Sequence, residues 1–339
     1  MKRRVARPWL WPLVPVYWAV TELKRAMVRW GWLRQRWLAS PVVSVGSCSA
    51  GGAGKTPVAL LLAEALSRRG YGVRILTRGY GRQVRSVERV DVAGDAGRYG
   101  DEPMLLSRRT HGEVFVGADR YEAGLLAERE AVGESLVHVL DDGFQHRRLG
   151  RDVDVVLLTR KDMEDALLPA GDLRESLGAL READVIVLRE EELAWTRGFV
   201  ERLDCRADIW VVRRALQFDE AVPVRPLVFC GIARPDDFTA MLEGVGCRAA
   251  GAIAFADHHA YGEEDLTRLA EDARAAGADG FVTTEKDAVK LTGEMLRRLE
   301  VVGPVVVARL EVGLVDEGAA VDGLVARITE QRTRVRGRA

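Results

Sequence analysis

Cysteine is scarce in this chain. The four cysteines in 339 residues (Cys48, Cys205, Cys230 and Cys247) are scattered, with no C-x-x-C pair. That excludes a disulfide framework or a cysteine zinc site and fits a reducing compartment. A membrane-spanning run is also missing. The uncharged stretch 9–21 has thirteen residues and is interrupted by Pro12 and Pro15, whereas a spanning helix needs about 20 apolar residues. No small-residue cleavage site follows it, so a signal peptide is not expected. Internal repeats are absent. With 47% hydrophobic and 30% charged residues, the composition is that of a soluble globular protein long enough for two domains with cores of their own.

Net charge is nearly absent too, at −1, but this hides an imbalance. Residues 1–38 hold nine basic side chains (Lys2, Arg3, Arg4, Arg7, Lys24, Arg25, Arg29, Arg34 and Arg36) against Glu22 alone, a charge of +8 over a remainder of −9. Six of the eight tryptophans (Trp9, Trp11, Trp18, Trp30, Trp32 and Trp37) lie there as well. Val16, Val20, Leu23, Met27, Trp30 and Trp37 recur at helical spacing, while Arg25, Arg29 and Arg36 share another face. This reads as a basic amphipathic helix lying in the surface of an anionic membrane; the plainer alternative is a helix packed on its own domain. A nucleic-acid arm is not expected, because the acidic remainder would repel phosphates. No obligate protein partner is indicated.

The densest motif is Ser49-Ala50-Gly51-Gly52-Ala53-Gly54-Lys55-Thr56-Pro57, between the apolar run 41–45 and a helical run over 58–66. A strand, a glycine-rich turn and a helix opening on Gly-Lys-Thr build a phosphate-binding loop. Backbone N–H groups crowd round phosphate oxygens and the helix offers its positive end. Lys55 would reach the β/γ-phosphates of ATP and Thr56 would ligate Mg²⁺. Ser49 stands where the usual motif has its first glycine.

Apolar runs at 73–77, 113–116, 135–140, 153–158 and 185–188 read as strands, and 103–109, 120–130 and 191–203 as helices. The pattern is that of a parallel sheet covered on both faces, with ligands at the carboxyl ends of its strands. A second α/β unit begins near Val224, with a strand then a turn over 227–232, strands at 248–254 and 280–283 and helices at 235–242 and 263–276. Segments 209–212 and 305–312 look extended, and a helix over 318–331 would return to the first domain. The expected fold is α/β: a P-loop NTPase-type, mostly parallel sheet domain (39–213) with a second, smaller α/β domain (214–312) joined by an extended two-strand linker. A membrane-contact segment (1–38) precedes it and a C-terminal helix (313–331) follows.

Asp141-Asp142-Gly143-Phe144-Gln145-His146 closes an apolar strand, and adjacent strand residues point to opposite faces, so one aspartate can face Mg²⁺ while the other orders the turn. Gly100-Asp101-Glu102-Pro103 reads equally as a helix start and as a carboxylate aimed at a hydroxyl nucleophile. Asp257-His258-His259 offers an acid–base group or plain loop residues, and lacks the further ligands zinc would need. Arg78 and Arg174 place guanidinium groups near strand ends, where phosphoryl charge develops.

Together these segments resemble the tetraacyldisaccharide 4′-kinase family of lipid A biosynthesis. The resemblance is carried by the Gly51–Pro57 loop, Arg78-Gly79-Tyr80-Gly81, Gly100-Asp101-Glu102-Pro103, Gly117-Ala118-Asp119-Arg120 and Asp141 to His146. It continues through Leu168-Pro169-Ala170-Gly171, Leu173-Arg174-Glu175, Phe229-Cys230-Gly231-Ile232, Asp257-His258-His259 and Thr283-Thr284-Glu285-Lys286-Asp287. The family also lacks the first glycine, so Ser49 is no departure; Ser176, where relatives usually have proline, is one. The resemblance implies phosphoryl transfer from ATP to the 4′-hydroxyl of an acylated glucosamine disaccharide 1-phosphate, by a peripheral enzyme at the cytoplasmic face of the inner membrane. It implies Asp101 and His258 as a proton-accepting dyad beside Lys55, and Asp141, Asp142 and Glu175 serving the metal with Thr56. Arg78, Tyr80, Arg120, Gln145, His146 and Arg174 are expected to meet substrate. A nucleotide-driven switch, a metallochaperone or a soluble-sugar kinase are the rival readings.

Overall fold

Runs of β-branched residues set the frame. The computed structural model describes residues 7–336, apart from residues 84, 111, 112, 132 and 134. Its strands are β1 (Val42–Ser47), β2 (Gly72–Thr77), β3 (Glu88–Arg89), β4 (Val114–Val116), β5 (Leu136–Asp141), β6 (Val153–Leu158), β7 (Val185–Arg189), β8 (Asp208–Phe218), β9 (Leu227–Cys230), β10 (Gly251–Ala254), β11 (Phe281–Thr284) and β12 (Val305–Leu314). They form one sheet in the order β10-β9-β11-β12-β8-β7-β6-β1-β5-β2-β4-β3. β1 is buried along its whole length and pairs in parallel with both β5 and β6. The chain leaves β1 for β2 on one side and later returns to β6 on the other, so a topological switch point falls at the carboxyl end of β1, where the phosphate loop begins.

Helix Lys55–Arg68 buries Val58, Leu62 and Leu66 against Val43, Val45, Val139 and Val155 of this sheet. A separate cluster, with Phe229, Phe281, Leu269 and Leu299, fills the C-terminal half. Between the halves run the two long strands β8 and β12, antiparallel from Ala308↔Phe218 to Leu314↔Val212. Only the start of β8 pairs with β7, and only the start of β12 pairs with β11. The strands of the C-terminal half therefore run against those of the N-terminal half. Their carboxyl ends face back across the middle of β8 and β12, and the gap between the two sets of ends is the cleft described below.

Most elements fall where periodicity placed them, with several differences. The N-terminal helix is Val14–Arg29, preceded by the 3₁₀ turn Pro8–Leu13. It stops there because Gly31 takes a φ of +74°, so Trp37 does not continue the apolar stripe. Strand 248–254 shortens to β10, and helix 103–109 begins two residues earlier, at Asp101. Lys2, Arg3 and Arg4 of the basic segment, and residues 337–339 of the tail, lie outside the described residues.

The basic face of the N-terminal helix is partly turned toward the body. Arg25 is buried, donating to Glu22 and Glu182, and Arg29 pairs with Glu182. Arg7 pairs with Asp172, and Arg36 with Asp119 and Glu122. Ser176 Oγ donates to Glu22 Oε1 at 3.3 Å, with a φ of −63° that a proline would also hold. These contacts anchor the segment to the body through its polar face. Trp9, Trp18, Trp30, Val16, Val20 and Leu23 are left on the surface.

Candidate active site

The phosphate loop rests on paired backbone groups. Ala50 N–H donates to Asp172 O, and Gln145 Nε2 donates to Ser47 O at 2.9 Å beneath the loop. Arg174 Nη2 donates to Ser49 O and Ala50 O, both at 3.1 Å, and Arg189 Nη2 donates to Gly52 O and Ala53 O. Gly52 and Gly54 adopt φ of +72° and +94°, conformations that favour glycine. A Cβ on Gly52 would also sit 2.4 Å from Arg234 Cγ. Helix Lys55–Arg68 starts without a side-chain cap, so its N-terminal N–H groups and dipole are available to an anion.

Lys55 Nζ lies 3.4 Å from Asp142 Oδ1 and 3.5 Å from Ala50 O, folded over the loop. Arg174 grips the Asp142 carboxylate with two hydrogen bonds, at 2.8 and 2.9 Å. Burial alone would raise the proton affinity of Asp142, but Lys55 and Arg174 outweigh it and hold the carboxyl below its ordinary value. Asp141 behaves oppositely. It is buried, accepts a hydrogen bond from Thr56 Oγ1 at 3.2 Å, and has no partner for Oδ1. Burial, then the charges of Glu102 and Asp142, push it up to about 7. Thr56 and Asp141 thus present oxygen donors in a spot short of positive charge. Among the described residues, no group of three or more His, Cys, Asp or Glu side chains is set to hold a metal unaided. Phosphate and water oxygens would have to complete the shell, as Mg²⁺ usually requires.

The Asp101–His258 pair comes from both halves. Gly100, at φ +95° and with Tyr80 O 2.9 Å from where a Cβ would stand, turns the chain into helix Asp101–Arg109. Asp101 accepts from Glu102 N–H at 2.9 Å and also meets His258 Nδ1 at 2.9 and 3.0 Å. The helix-start reading of its motif is realised, with Gly100 rather than Asp101 at the cap. Burial opposes ionisation of Asp101, but the His258 hydrogen bond and Lys286 more than compensate and lower its pKa. The same hydrogen bond raises that of His258, against burial and Lys286. His259 takes another course: its Nε2 lies 2.9 Å from Asp265 and its ring stacks on Phe255.

A cleft of about 710 Å³ joins these parts. It is lined by the loop, Arg78, Tyr80, Asp141, Asp142, Arg174 and His258, with Arg214, Leu216, Ala308 and Leu310 of β8 and β12 crossing it. Six expected site residues lie outside that lining: Asp101, buried against His258; Ala53, buried within the loop; and four more. Gln145 supports β1 from below. Arg120 is buried, donates to Ala118 O, and is pushed down to about 10 by burial and the charge of Arg78. His146 is pushed down to about 4 by burial and Arg120. Glu175 is engaged by Arg147 at 2.6 Å, beneath the N-terminal helix rather than beside Thr56. Sequence reasoning gave no role to Lys286, Arg189 or Arg234, although Lys286 sat in a motif directly after a strand.

Comparison with known proteins places the chain in a family. The sequence profile of the family described as Tetraacyldisaccharide-1-P 4'-kinase matches residues 6–329. A protein named tetraacyldisaccharide 4'-kinase from Koribacter versatilis is 38% identical over 330 residues, covering 95% of this chain and 99% of the relative. One of the same name from Geobacter metallireducens is 40% identical over 304 residues, covering 84% and 88%. Among solved structures, the "apo" form of LpxK from Aquifex aeolicus in complex with ATP is similar, at a TM-score of 0.73 and 31% identity over 95% of this chain and 99% of that one.

Proposed function

Because the chain belongs to the tetraacyldisaccharide-1-P 4'-kinase family, we infer that it transfers the γ-phosphoryl group of ATP to the 4′-hydroxyl of a tetraacylated glucosamine disaccharide 1-phosphate, forming lipid IVA in lipid A biosynthesis. The observation that carries the mechanism is the meeting of Asp101 with His258 across the cleft from a glycine-rich loop bearing Lys55. ATP lies with its phosphates on the loop amides, and Lys55 follows the charge as it spreads in an in-line transfer without a phosphoenzyme. Asp101, held by His258, accepts the sugar proton. His258 lines the cleft, and Asp101 is the buried member of the pair. Arg78 and Tyr80, at the mouth, meet the disaccharide. The test is stoichiometric: ADP release should depend on the lipid acceptor and match phosphorylated lipid one to one. ADP release without acceptor would point to a switch.

Thr56 and Asp141 would hold Mg²⁺, which would supply positive charge beside the phosphates. Asp142 orients Lys55 and Arg174, and Glu175 is not part of this proposed shell. Asp141→Asn should therefore raise the Mg²⁺ concentration needed for half-maximal activity by about tenfold or more, the usual effect of losing one charged ligand from a weak site. An unchanged Mg²⁺ titration would remove Asp141 from the metal.

The enzyme works at the cytoplasmic face of the inner membrane, on a lipid that stays in the bilayer. No helix among the described residues is long and apolar enough to cross a membrane, and the exposed tryptophan face of residues 9–30 makes the contact. Four basic side chains of the N-terminal segment, Arg7, Arg25, Arg29 and Arg36, are paired internally, so insertion outweighs charge. Trp9, Trp18 and Trp30 changed together to alanine should abolish flotation with anionic vesicles. Lys24→Gln with Arg34→Gln should cost only about 2 kcal/mol, at about 1 kcal/mol per charge. Equal loss from both variants would contradict this division.

A further inference from the structure

The turn Thr283-Thr284-Glu285-Lys286-Asp287 has no part in the chemistry described so far. Thr284 caps the short helix Glu285–Ala288 at the end of β11, accepting from Asp287 N–H. This turn carries Lys286 into the seam between the two halves, with its side chain 18% exposed. Nζ lies 3.2 Å from Glu102 Oε1, 3.2 Å from Asp257 Oδ1 and 3.3 Å from His258 Nε2. The arrangement is braced from the far end of helix Asp101–Arg109. There Arg109 donates to Glu285 at 3.1 Å and to Glu311 at 2.7 Å, tying the helix that bears Asp101 to the turn that bears Lys286.

An ammonium group has three donors and no acceptor. Its contact with His258 Nε2 therefore requires the lone pair of that nitrogen, leaving the ring proton on Nδ1. Nδ1 is the atom facing both Asp101 oxygens. Were the proton on Nε2, an N–H would point at an ammonium, and Asp257 Oδ2, 3.7 Å away, stands too far to accept it. Nδ1 would then present a lone pair to a carboxylate, and the dyad would lose its hydrogen bond.

We propose that Lys286 is a positioning residue that selects the uncharged, Nδ1-protonated imidazole of His258 and so keeps Asp101 a hydrogen-bonded, ionised acceptor. The proposal rests on the dyad reading above. Asp101 and Glu102 face the ring or its lysine from helix Asp101–Arg109, and Asp257 from the ring's own loop. Lys286 and, further off, Lys290 come from the turn after β11, and the Tyr80 ring lies 5.0 Å away. The carboxylates thus favour the imidazolium and raise the proton affinity of the ring, and Lys286 is the cation in contact that limits the rise. A charged imidazole on Asp101 would weaken it as a base, so removing Lys286 costs activity at neutral pH and spares it at higher pH.

Two measurements on the full-length protein test this. Long-range ¹H–¹⁵N spectra, with His258 assigned by its loss in His258→Gln, should show the Nδ1–H tautomer in the wild type. The Nε2–H tautomer would overturn the proposal without recourse to any variant. In pH–rate profiles, Lys286→Met should lose about tenfold in kcat at neutral pH, the scale of one nearby charge, and recover as pH rises. Lys286→Arg, which keeps charge and donors, should hold the acid limb near its wild-type position. A pH-independent loss in Lys286→Met would mean a purely structural role and refute the proposal. The tautomer is read without turnover, so an active Asp101→Asn enzyme would remove the dyad while leaving the spectrum to judge Lys286 by itself.

Discussion

Asp101→Ala is expected to lower kcat by about 10²–10⁴-fold, the usual contribution of a positioned proton acceptor, with little change in the KM for ATP. The carboxylate touches His258 and its own helix start but none of the phosphate-loop atoms, so ATP binding should not register its loss. Asp101→Asn is the sharper variant. It keeps the shape and can still accept from Glu102 N–H, yet it removes the negative charge. A loss confined to the alanine variant would assign the effect to folding of the helix. A loss shared by both assigns it to the charge. Activity within about threefold of wild type in both would sink the dyad.

Lys55→Met should be nearly as severe, with kcat down by about 10²–10³-fold, as for removal of one electrostatic donor to a developing charge. Lys55 rests on Asp142 and Ala50 O, and bound phosphates would draw the ammonium off these weaker partners. Arginine should not substitute. Its planar fork is broader than the ammonium, and Arg174 already grips Asp142 with two hydrogen bonds. Kinetics at saturating ATP separate binding from catalysis. A Lys55→Met enzyme with full kcat and only a raised KM would show that Lys55 anchors ground-state phosphate without serving the transfer.

Strand, loop and helix around Lys55 were legible in the sequence because each is a local pattern: a buried apolar run, glycines, then helical spacing. The Asp141-Asp142 pair was legible for the same reason, since a strand end fixes which residues emerge at the crevice. Division of labour within the pair was not. It depends on Arg174, 32 residues away, taking Asp142 and leaving Asp141 to Thr56. Glu175, which the family resemblance assigns to the metal, is held by Arg147 in this structure, a partner 28 residues away that local pattern does not show. Lys286 was invisible because its meaning lies in contacts to residues 28 and 184 positions away. The N-terminal segment showed its apolar periodicity plainly, yet spacing could not reveal that Glu182 would draw Arg25 inward and pair with Arg29.

The central claim, that this cleft moves a phosphoryl group from ATP to a lipid-borne sugar hydroxyl, is tested most directly by mass spectrometry of the lipid product. The acylated disaccharide 1-phosphate would be incubated with the protein and Mg·ATP in anionic vesicles, and the extracted lipid fragmented to locate any new phosphate. The account predicts a single added phosphoryl group, on the 4′ position of the distal glucosamine, absent when Asp101→Asn replaces the wild type. Unmodified lipid alongside steady ADP release, or a phosphoryl group at another position, would contradict it.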